Sequence, residues 1–409
     1  MQFIDLAAQQ QRIKDKIDTG IQKVLAHGQY IMGPEIEELE NKLAGFVKTK
    51  QAISCASGTD ALLLALLAYG VGPGDAIFTT PFTFFATAEV ISLLGANPVF
   101  VDIDPETFNI DPNKLGLAIE ALKEGDRGVY PLPQSSSAAL LRQGAPLAKN
   151  SSPLSFELSA LSPRGIIAVD LFGLPADYDS INAVAQKHNL FVIEDAAQSF
   201  GADYKGKKAC ALSEITCTSF FPAKPLGCYG DGGMCFTDND NLAEIMRSLR
   251  IHGQGDHKYD NVRIGLNGRM DTLQAAILLA KFDIFPEEIE LRQQVAGRYN
   301  EMLFPQASSG ALLLPQTPGY ARSVWAQYSL LAKDEAYRSL IQSRLKAAGI
   351  PTAIYYSKPL HLQAAFSYLG YQEGDFPISE DYAKRIFSLP MHPYLKNEVQ
   401  ERIAQIIKG

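Results

Sequence analysis

The chain is poor in cysteine, in net basic charge and in long apolar runs, and each shortage excludes something. Its 409 residues include 5 cysteines, Cys55, Cys210, Cys217, Cys228 and Cys235. The number is odd and none stands at C-x-x-C spacing. A disulfide framework and a zinc site are therefore not expected, no metal is called for, and small buried free thiols in a reducing cytoplasm fit. Lys and Arg number 37 against 45 Asp and Glu, a net charge of −8. That balance argues against nucleic acid or an anionic membrane as the main partner, while leaving room for a local basic pocket for a phosphorylated ligand. Apolar runs such as 166–169 are far too short to cross a bilayer. Met1-Gln2-Phe3-Ile4-Asp5 has neither a basic region nor an apolar core, so no signal peptide is expected.

What is present describes a globular protein, with 46% apolar and 20% charged residues. The length exceeds one ordinary core. Two domains are expected, a large one over 1–284 and a smaller one over 285–409. Apolar periodicity predicts helices over 8–27 (with Ile13, Ile17, Ile21, Val24 and Leu25 on one face), 35–47, 60–67, 86–94, 112–123, 179–187, 241–249 and 272–281. Between them, strands are predicted at 52–55, 76–79, 98–103, 165–170, 190–194 and 234–237. This alternation implies an α/β fold with a mostly parallel central sheet and helices on both faces. A long charged helix over 286–303 leads to a strand at 326–332, a helix at 337–348, a strand at 352–355 and two final helices. The pattern lapses over 124–164, where Pro131-Leu132-Pro133-Gln134-Ser135-Ser136-Ser137 and Lys149-Asn150-Ser151-Ser152-Pro153 are loop-like. This stretch reads as a surface insertion, with one short helix at 138–142.

Two stretches carry chemistry. Ile193-Glu194-Asp195-Ala196-Ala197-Gln198-Ser199-Phe200-Gly201-Ala202 places an acid where a buried strand ends, and ligands of such sheets gather at carboxyl ends of strands. Ser219-Phe220-Phe221-Pro222-Ala223-Lys224 places a lysine in an apolar loop that runs on to Gly230-Asp231-Gly232-Gly233. A site for pyridoxal 5'-phosphate requires this pair. The carboxylate keeps the pyridine nitrogen protonated, and the desolvated, neutral lysine amine is the nucleophile and later moves the proton. Ala56-Ser57-Gly58-Thr59 precedes a helix, where glycine admits close approach and free N–H groups favour a phosphate. A Ser or Thr there also serves as a plain N-cap. In Thr80-Pro81-Phe82-Thr83-Phe84-Phe85, one aromatic could lie flat on a pyridine ring.

The pattern E-D-A-A-Q-S-F-G-A, then S-F-F-P-x-K, then G-D-G-G, resembles the nucleotide-sugar aminotransferases of the DegT/DnrJ/StrS family. The resemblance runs from Phe3-Ile4-Asp5-Leu6 to Leu389-Pro390-Met391-His392-Pro393, interrupted near 124–164. It implies a type I PLP-dependent aminotransferase fold, a homodimer with shared active sites, and pyridoxamine 5'-phosphate as the form that carries the amine. It implies L-glutamate as donor, with 2-oxoglutarate leaving, and a UDP-linked keto sugar as acceptor, in surface-polysaccharide or O-antigen synthesis. By that resemblance Lys224 and Asp195 are catalytic. Gly58, Thr59 and Ser219 hold the phosphate, Phe84 covers the ring face, and Gln198 contacts the ring's hydroxyl side. Asn267 reaches the partner's phosphate. Arg269, Tyr355, Tyr356 and His361 face substrate, and His392 also matches a family position.

The run from Cys217 to Gly233 is most similar to members that aminate a UDP-linked 3-keto uronate, UDP-2-acetamido-2-deoxy-3-oxo-glucuronate. Members acting on 4-keto-6-deoxy sugars share the same motifs and form the alternative. Relatives usually carry histidine where Tyr355 stands and proline at Ser357, a departure that bears on sugar choice. Lys224 argues against the dehydratase subclass, which carries histidine there. Lys224 with Asp195 also argues against a non-catalytic regulatory protein on this fold.

Overall fold

The computed structural model describes residues 1–134 and 161–409. The helix expected at 138–142 lies outside the described residues. The chain opens with three helices, α1 (Leu6–Arg12), α2 (Lys14–His27) and α3 (Pro34–Val47). The single helix expected over 8–27 is thus two. Ile13 takes non-helical angles, φ −122° and ψ 21°. The break lets Ile13 itself join Ile17 and Ile277 in a buried cluster. Leu25, expected on that apolar face, is 47% exposed.

Six strands and a seventh form the central sheet. They are β1 (Gln51–Cys55), β2 (Asp75–Thr79), β3 (Asn97–Phe100), β4 (Ser162–Val169), β5 (Phe191–Asp195), β8 (Ile215–Ser219) and β9 (Gly233–Thr237), with the two-residue β6 (Asp203–Tyr204) and β7 (Lys207–Lys208) set apart in a small sheet. The order is β1-β9-β8-β5-β4-β2-β3. Only β9 runs against its neighbours β1 and β8. The rest are parallel, which requires crossover connections. These are α4 (Gly58–Ala68), α5 (Ala86–Leu93), α6 (Pro112–Glu124) and α7 (Tyr178–His188), with α8 (Asp240–Leu249) after β9. Parallel strands covered on both faces read as continuous apolar runs, and these do. Ile77, Ile167, Ile193 and Ile215 face one core with Leu62, Val90 and Met246. Phe78, Ile166, Ala168 and Val192 face the opposite core with Leu115, Ile119 and Ile181.

The register pairs Val169 with Asp195 and Asp195 with Cys217, so β4, β5 and β8 end side by side. β8 was not expected as a strand. Its Ile-Thr-Cys-Thr-Ser run lacks an apolar signature, yet it is buried because Thr216 and Thr218 donate to the Cys210 and Ala196 carbonyls.

Helices α9 (Thr272–Phe282) and α10 (Phe285–Ser308) lead to the C-terminal part. There β10 (Leu312–Leu313), β12 (Tyr328–Ala332) and β13 (Ile386–Leu389) form a sheet in the order β10-β12-β13, while β11 (Ala321–Arg322) pairs with β6. That sheet packs under α10, α11 (Glu335–Ala347) and α13 (Asn397–Lys408) through Tyr299, Tyr328, Ile341 and Ile403. α12 (Pro377–Arg385) precedes β13. The strand expected at 352–355 is absent. Ala353 makes one bridge to Ser388, and the chain then turns away, with a cis Tyr355–Tyr356 peptide, toward the ends of β4 and β5. The Tyr356 contact with Gln198 draws the segment away from the open edge of β13. Leu360, Phe366, Leu369 and Phe376 leave the C-terminal part and pack into the core of Phe78 and Leu115.

Candidate active site

Asp195 closes β5 and is 4% exposed. Its carboxylate accepts the Thr87 hydroxyl at 2.8 Å and the Ala197 N–H at 3.2 Å. Burial pushes its pKa above the ordinary carboxylate value, against the opposing pull of Thr87, Ala197 and the charge of Lys224.

Lys224 sits in the loop after β8, where its own N–H bonds the Phe221 carbonyl at 2.8 Å. That loop folds tightly on itself. A Cβ on Gly227 would stand 2.5 Å from the Phe221 carbonyl oxygen and 2.7 Å from that of Pro222. From below, the wholly buried Lys281 donates to the Gly227 carbonyl at 2.6 Å and lies 4.2 Å over the Tyr229 ring. Burial pulls the Lys224 pKa down to about 8, although Asp195 acts in the other direction. About a tenth of its amine is therefore uncharged at pH 7.

At the start of α4, Ser57 accepts the Asp60 N–H on its hydroxyl and the Ala61 N–H on its carbonyl, each at 3.0 Å. The earlier amides, of Gly58 and Thr59, have no intrahelical acceptor at a helix start and point to where an anion would bind. Gly58 is pressed on Ser219, whose Cβ would be 2.7 Å from a Cβ placed on it. Gly58, Thr59 and the Ser219 hydroxyl thus form one cup.

Gln198 bridges two distant segments. Its Oε1 accepts the Phe172 N–H at 2.9 Å, and its Nε2 donates to the Tyr356 hydroxyl at 3.3 Å. Phe172 holds positive φ, 59°, and its amide is fixed by this contact. Tyr356 in turn lies 6.4 Å from both Phe82 and Phe84. Phe82 is enclosed, whereas Phe84 is 56% exposed and has a free face, as a ring-covering aromatic needs. Tyr355, half-buried, meets the edge of Phe3 at 6.4 Å.

Asn267 is exposed, and Arg269 keeps its enclosed Nε without a partner among the described residues. Both flank Gly268, which accepts the Ala56 N–H at 2.9 Å and so stands beside this cup. His361 is not part of the constellation. It is 1% exposed, with Nε2 3.0 Å from Glu380 and its ring packed on Phe376. His392 is enclosed too, and burial pulls its pKa down to about 4.

Sequence reasoning overlooked Thr87, Lys281, Phe172 and the Asp170–Glu194 pair. Thr83 in the loop before α5 and Thr87 in its first turn were the available signal for a hydroxyl facing the site. Lys281 gave none, because it sits at the end of an apolar helix where a solvated lysine is ordinary.

These residues fit pyridoxal phosphate. A buried acid stands at the strand end, an amine of lowered pKa faces it, two free amides and a hydroxyl suit a phosphate, and an aromatic face is open. Residues 11–128 and 158–408 match the DegT/DnrJ/EryC1/StrS aminotransferase family. The chain belongs to this family. The unmatched residues 129–157 fall inside the expected insertion. The chain is 49% identical over 397 residues to the UDP-2-acetamido-2-deoxy-3-oxo-D-glucuronate aminotransferase of Pseudomonas aeruginosa, covering 97% of this chain and 96% of that one. It is similar in structure to a DegT DnrJ EryC1 StrS aminotransferase from Brucella abortus, with TM-score 0.86, 45% identity, and coverage of 100% and 99%. It is also similar to ntda from Bacillus subtilis with bound cofactor PMP, with TM-score 0.79, 28% identity, and coverage of 97% and 82%. This family member is an aminotransferase of α/β fold. Among the described residues no helix is long and apolar enough to cross a membrane.

Proposed function

We propose that this aminotransferase uses pyridoxal phosphate to move an amino group from L-glutamate to UDP-2-acetamido-2-deoxy-3-oxo-glucuronate, in the synthesis of a surface polysaccharide such as O-antigen. The observation that carries the chemistry is the buried Asp195 set against Lys224, whose pKa is lowered to about 8. The substrate rests on the Pseudomonas relative and its near full-length match.

When bound, the cofactor supplies an electron sink next to the carbon that loses its proton. The chain supplies the rest. Asp195 holds a proton on the ring nitrogen through a charge-assisted hydrogen bond. Lys224 would hold the cofactor through its Nζ, and that amine, neutral when free, would take up and return the proton. Gly58, Thr59 and Ser219 hold the phosphate. Phe84 would cover the ring face, and Gln198 would contact the ring's hydroxyl side. Arg269, Tyr355 and Tyr356 face the sugar nucleotide.

Asn267 belongs to this scheme through a second copy of the chain. It is exposed here, and in a homodimer it would complete the partner's phosphate site. Residues 1–284 carry the cofactor site, and the 285–409 part contributes Tyr355 and Tyr356 to it. His361 is left out, since its enclosed ring and Glu380 partner give it a structural place.

The experiment is a pair of half-reactions. The enzyme is taken to its pyridoxamine form with L-glutamate, then offered the 3-keto uronate or a 4-keto-6-deoxy sugar nucleotide. Recovery of visible absorption with the uronate supports the proposal, and recovery only with a 4-keto sugar contradicts it.

A further inference from the structure

Two carboxyl groups beside this site have no part in the chemistry above. Asp170 follows β4, and Glu194 precedes Asp195 on β5. Both are 0% exposed. The register sets Glu194 beside Ala168, and Asp170 stands two residues on along the same face of the sheet, so the two carboxyls are neighbours. No cation forms an ion pair with either among the described residues, although buried anions ordinarily have such a partner. The titratable groups that face them are Tyr178 from α7, Cys210 from the loop before β8, and Asp195 itself. Burial pushes the Tyr178 phenol and the Cys210 thiol up, so both stay neutral.

Two neighbouring anions in a dry interior repel strongly, and retaining one proton relieves this. The donors decide which group keeps it. Asp170 accepts three hydrogen bonds, from the Ala176 N–H and the Tyr178 hydroxyl at 2.9 Å and from the Ser199 hydroxyl at 2.7 Å. Three donors over two oxygens stabilise a negative charge on Asp170 better than two do on Glu194. Glu194 accepts only backbone amides, of Cys210 at 2.7 Å and Leu212 at 2.9 Å. Burial raises the pKa of both, Asp170 to about 7.

We propose that Asp170 and Glu194 share one proton, held on Glu194, and that this dyad positions the turn presenting Asp195 and Gln198. The connections run both ways from it. The Asp170 N–H donates to the Asp195 carbonyl at 3.1 Å, and Asp170 anchors Ser199, which closes the turn by donating its own N–H to the Ala196 carbonyl at 3.1 Å. Gln198 lies within that turn. On the other side Glu194 fixes Cys210, whose carbonyl takes the Thr216 hydroxyl at 2.8 Å in β8, the strand that leads to Ser219 and Lys224. Acid loop and lysine strand are thereby held from one buried point. Asp170 and Glu194 are positioning residues, and neither touches the substrate.

The protonation is tested by infrared spectroscopy of the wild-type protein at pH 8, where exposed carboxyls are ionised. A protonated carboxyl C=O band is expected, and it is expected to vanish in Glu194→Gln. Absence of the band in wild type, or its persistence in Glu194→Gln, overturns the assignment. This reading involves no cofactor, so it stands or falls separately from the proposed function on which the positioning role rests. That role is tested in the Asp170→Asn holoenzyme by titrating the visible absorption of the bound cofactor. A midpoint moved by about 1 pH unit with kcat lowered ~10-fold is expected, the effect of losing one charge-assisted contact. A purely structural role would lower thermal stability and leave the midpoint alone. Ser199→Ala, which removes a single donor to Asp170, is the second variant should Asp170→Asn fail to fold. A smaller shift in the same direction supports the role, and an unmoved midpoint overturns it.

Discussion

The Thr87 hydroxyl donates to Asp195 Oδ2 at 2.8 Å, joining the first turn of α5 to the end of β5 across 108 positions of sequence. One oxygen of the acid is thereby committed, and the Ala197 amide bonds the other. The carboxylate is fixed in direction before any ligand arrives. Thr87→Val keeps the shape and removes the donor. A hydrogen bond to a charged group contributes about 1.5–3 kcal/mol. Cofactor affinity is therefore expected to fall ~10-fold or more, measured by equilibrium titration with pyridoxal phosphate.

Lys224 titrates near 8 in the folded protein, against 10.5 in solution. The neutral amine is the reactive form, so its share rises with pH through about 8 and falls about tenfold for each unit below that. The rate at which apo-protein captures pyridoxal phosphate should follow this curve with a midpoint near 8. A midpoint near that of a free lysine would contradict the desolvation of its amine. Lys224→Ala is expected to abolish turnover while circular dichroism shows an unchanged fold.

Gly58 leaves no room for a methyl group, since its Cβ would sit 2.7 Å from that of Ser219. Gly58→Ala must push the two sides of the phosphate cup apart. Such overpacking costs about 1–3 kcal/mol. Weaker cofactor binding is expected, together with a lost response to inorganic phosphate as a competitor. Unchanged affinity would show that the phosphate sits elsewhere.

Tyr356 reaches the site from the C-terminal part and bonds Gln198 at 3.3 Å. A neutral hydrogen bond contributes about 1 kcal/mol, so Tyr356→Phe is expected to lower kcat/KM about fivefold. The loss should fall on the sugar half-reaction and spare the glutamate half-reaction. An equal loss in both would assign Tyr356 to the cofactor instead of the sugar.

Much of this arrangement was legible in the sequence because burial on both faces leaves a plain mark. The apolar strands β2, β4 and β5 and the amphipathic helices between them announced a parallel sheet, and Asp195 at a strand end announced a ligand. Other features depend on contacts made across the fold. β8 reads as polar because its threonines satisfy distant carbonyls. Ile13 breaks its helix to reach α9. Residues 352–355 look like a strand, but β13 gives them only Ala353's bridge to Ser388. His361 looks like a substrate ligand in sequence, and only packing shows Glu380 and Phe376 enclosing it. Glu194 and Asp170 are invisible as a pair until β4 and β5 bring them together.

The central claim is that Lys224 and Asp195 serve amino transfer to a 3-keto uronate. The most direct measurement offers the glutamate-treated, pyridoxamine-loaded enzyme UDP-2-acetamido-2-deoxy-3-oxo-glucuronate and, separately, UDP- and dTDP-linked 4-keto-6-deoxy sugars, while following visible absorption. Recovery with the uronate alone is the predicted result. Recovery only with a 4-keto sugar would contradict the substrate and point to Tyr355 and Tyr356, and no recovery with any of them would contradict the reaction.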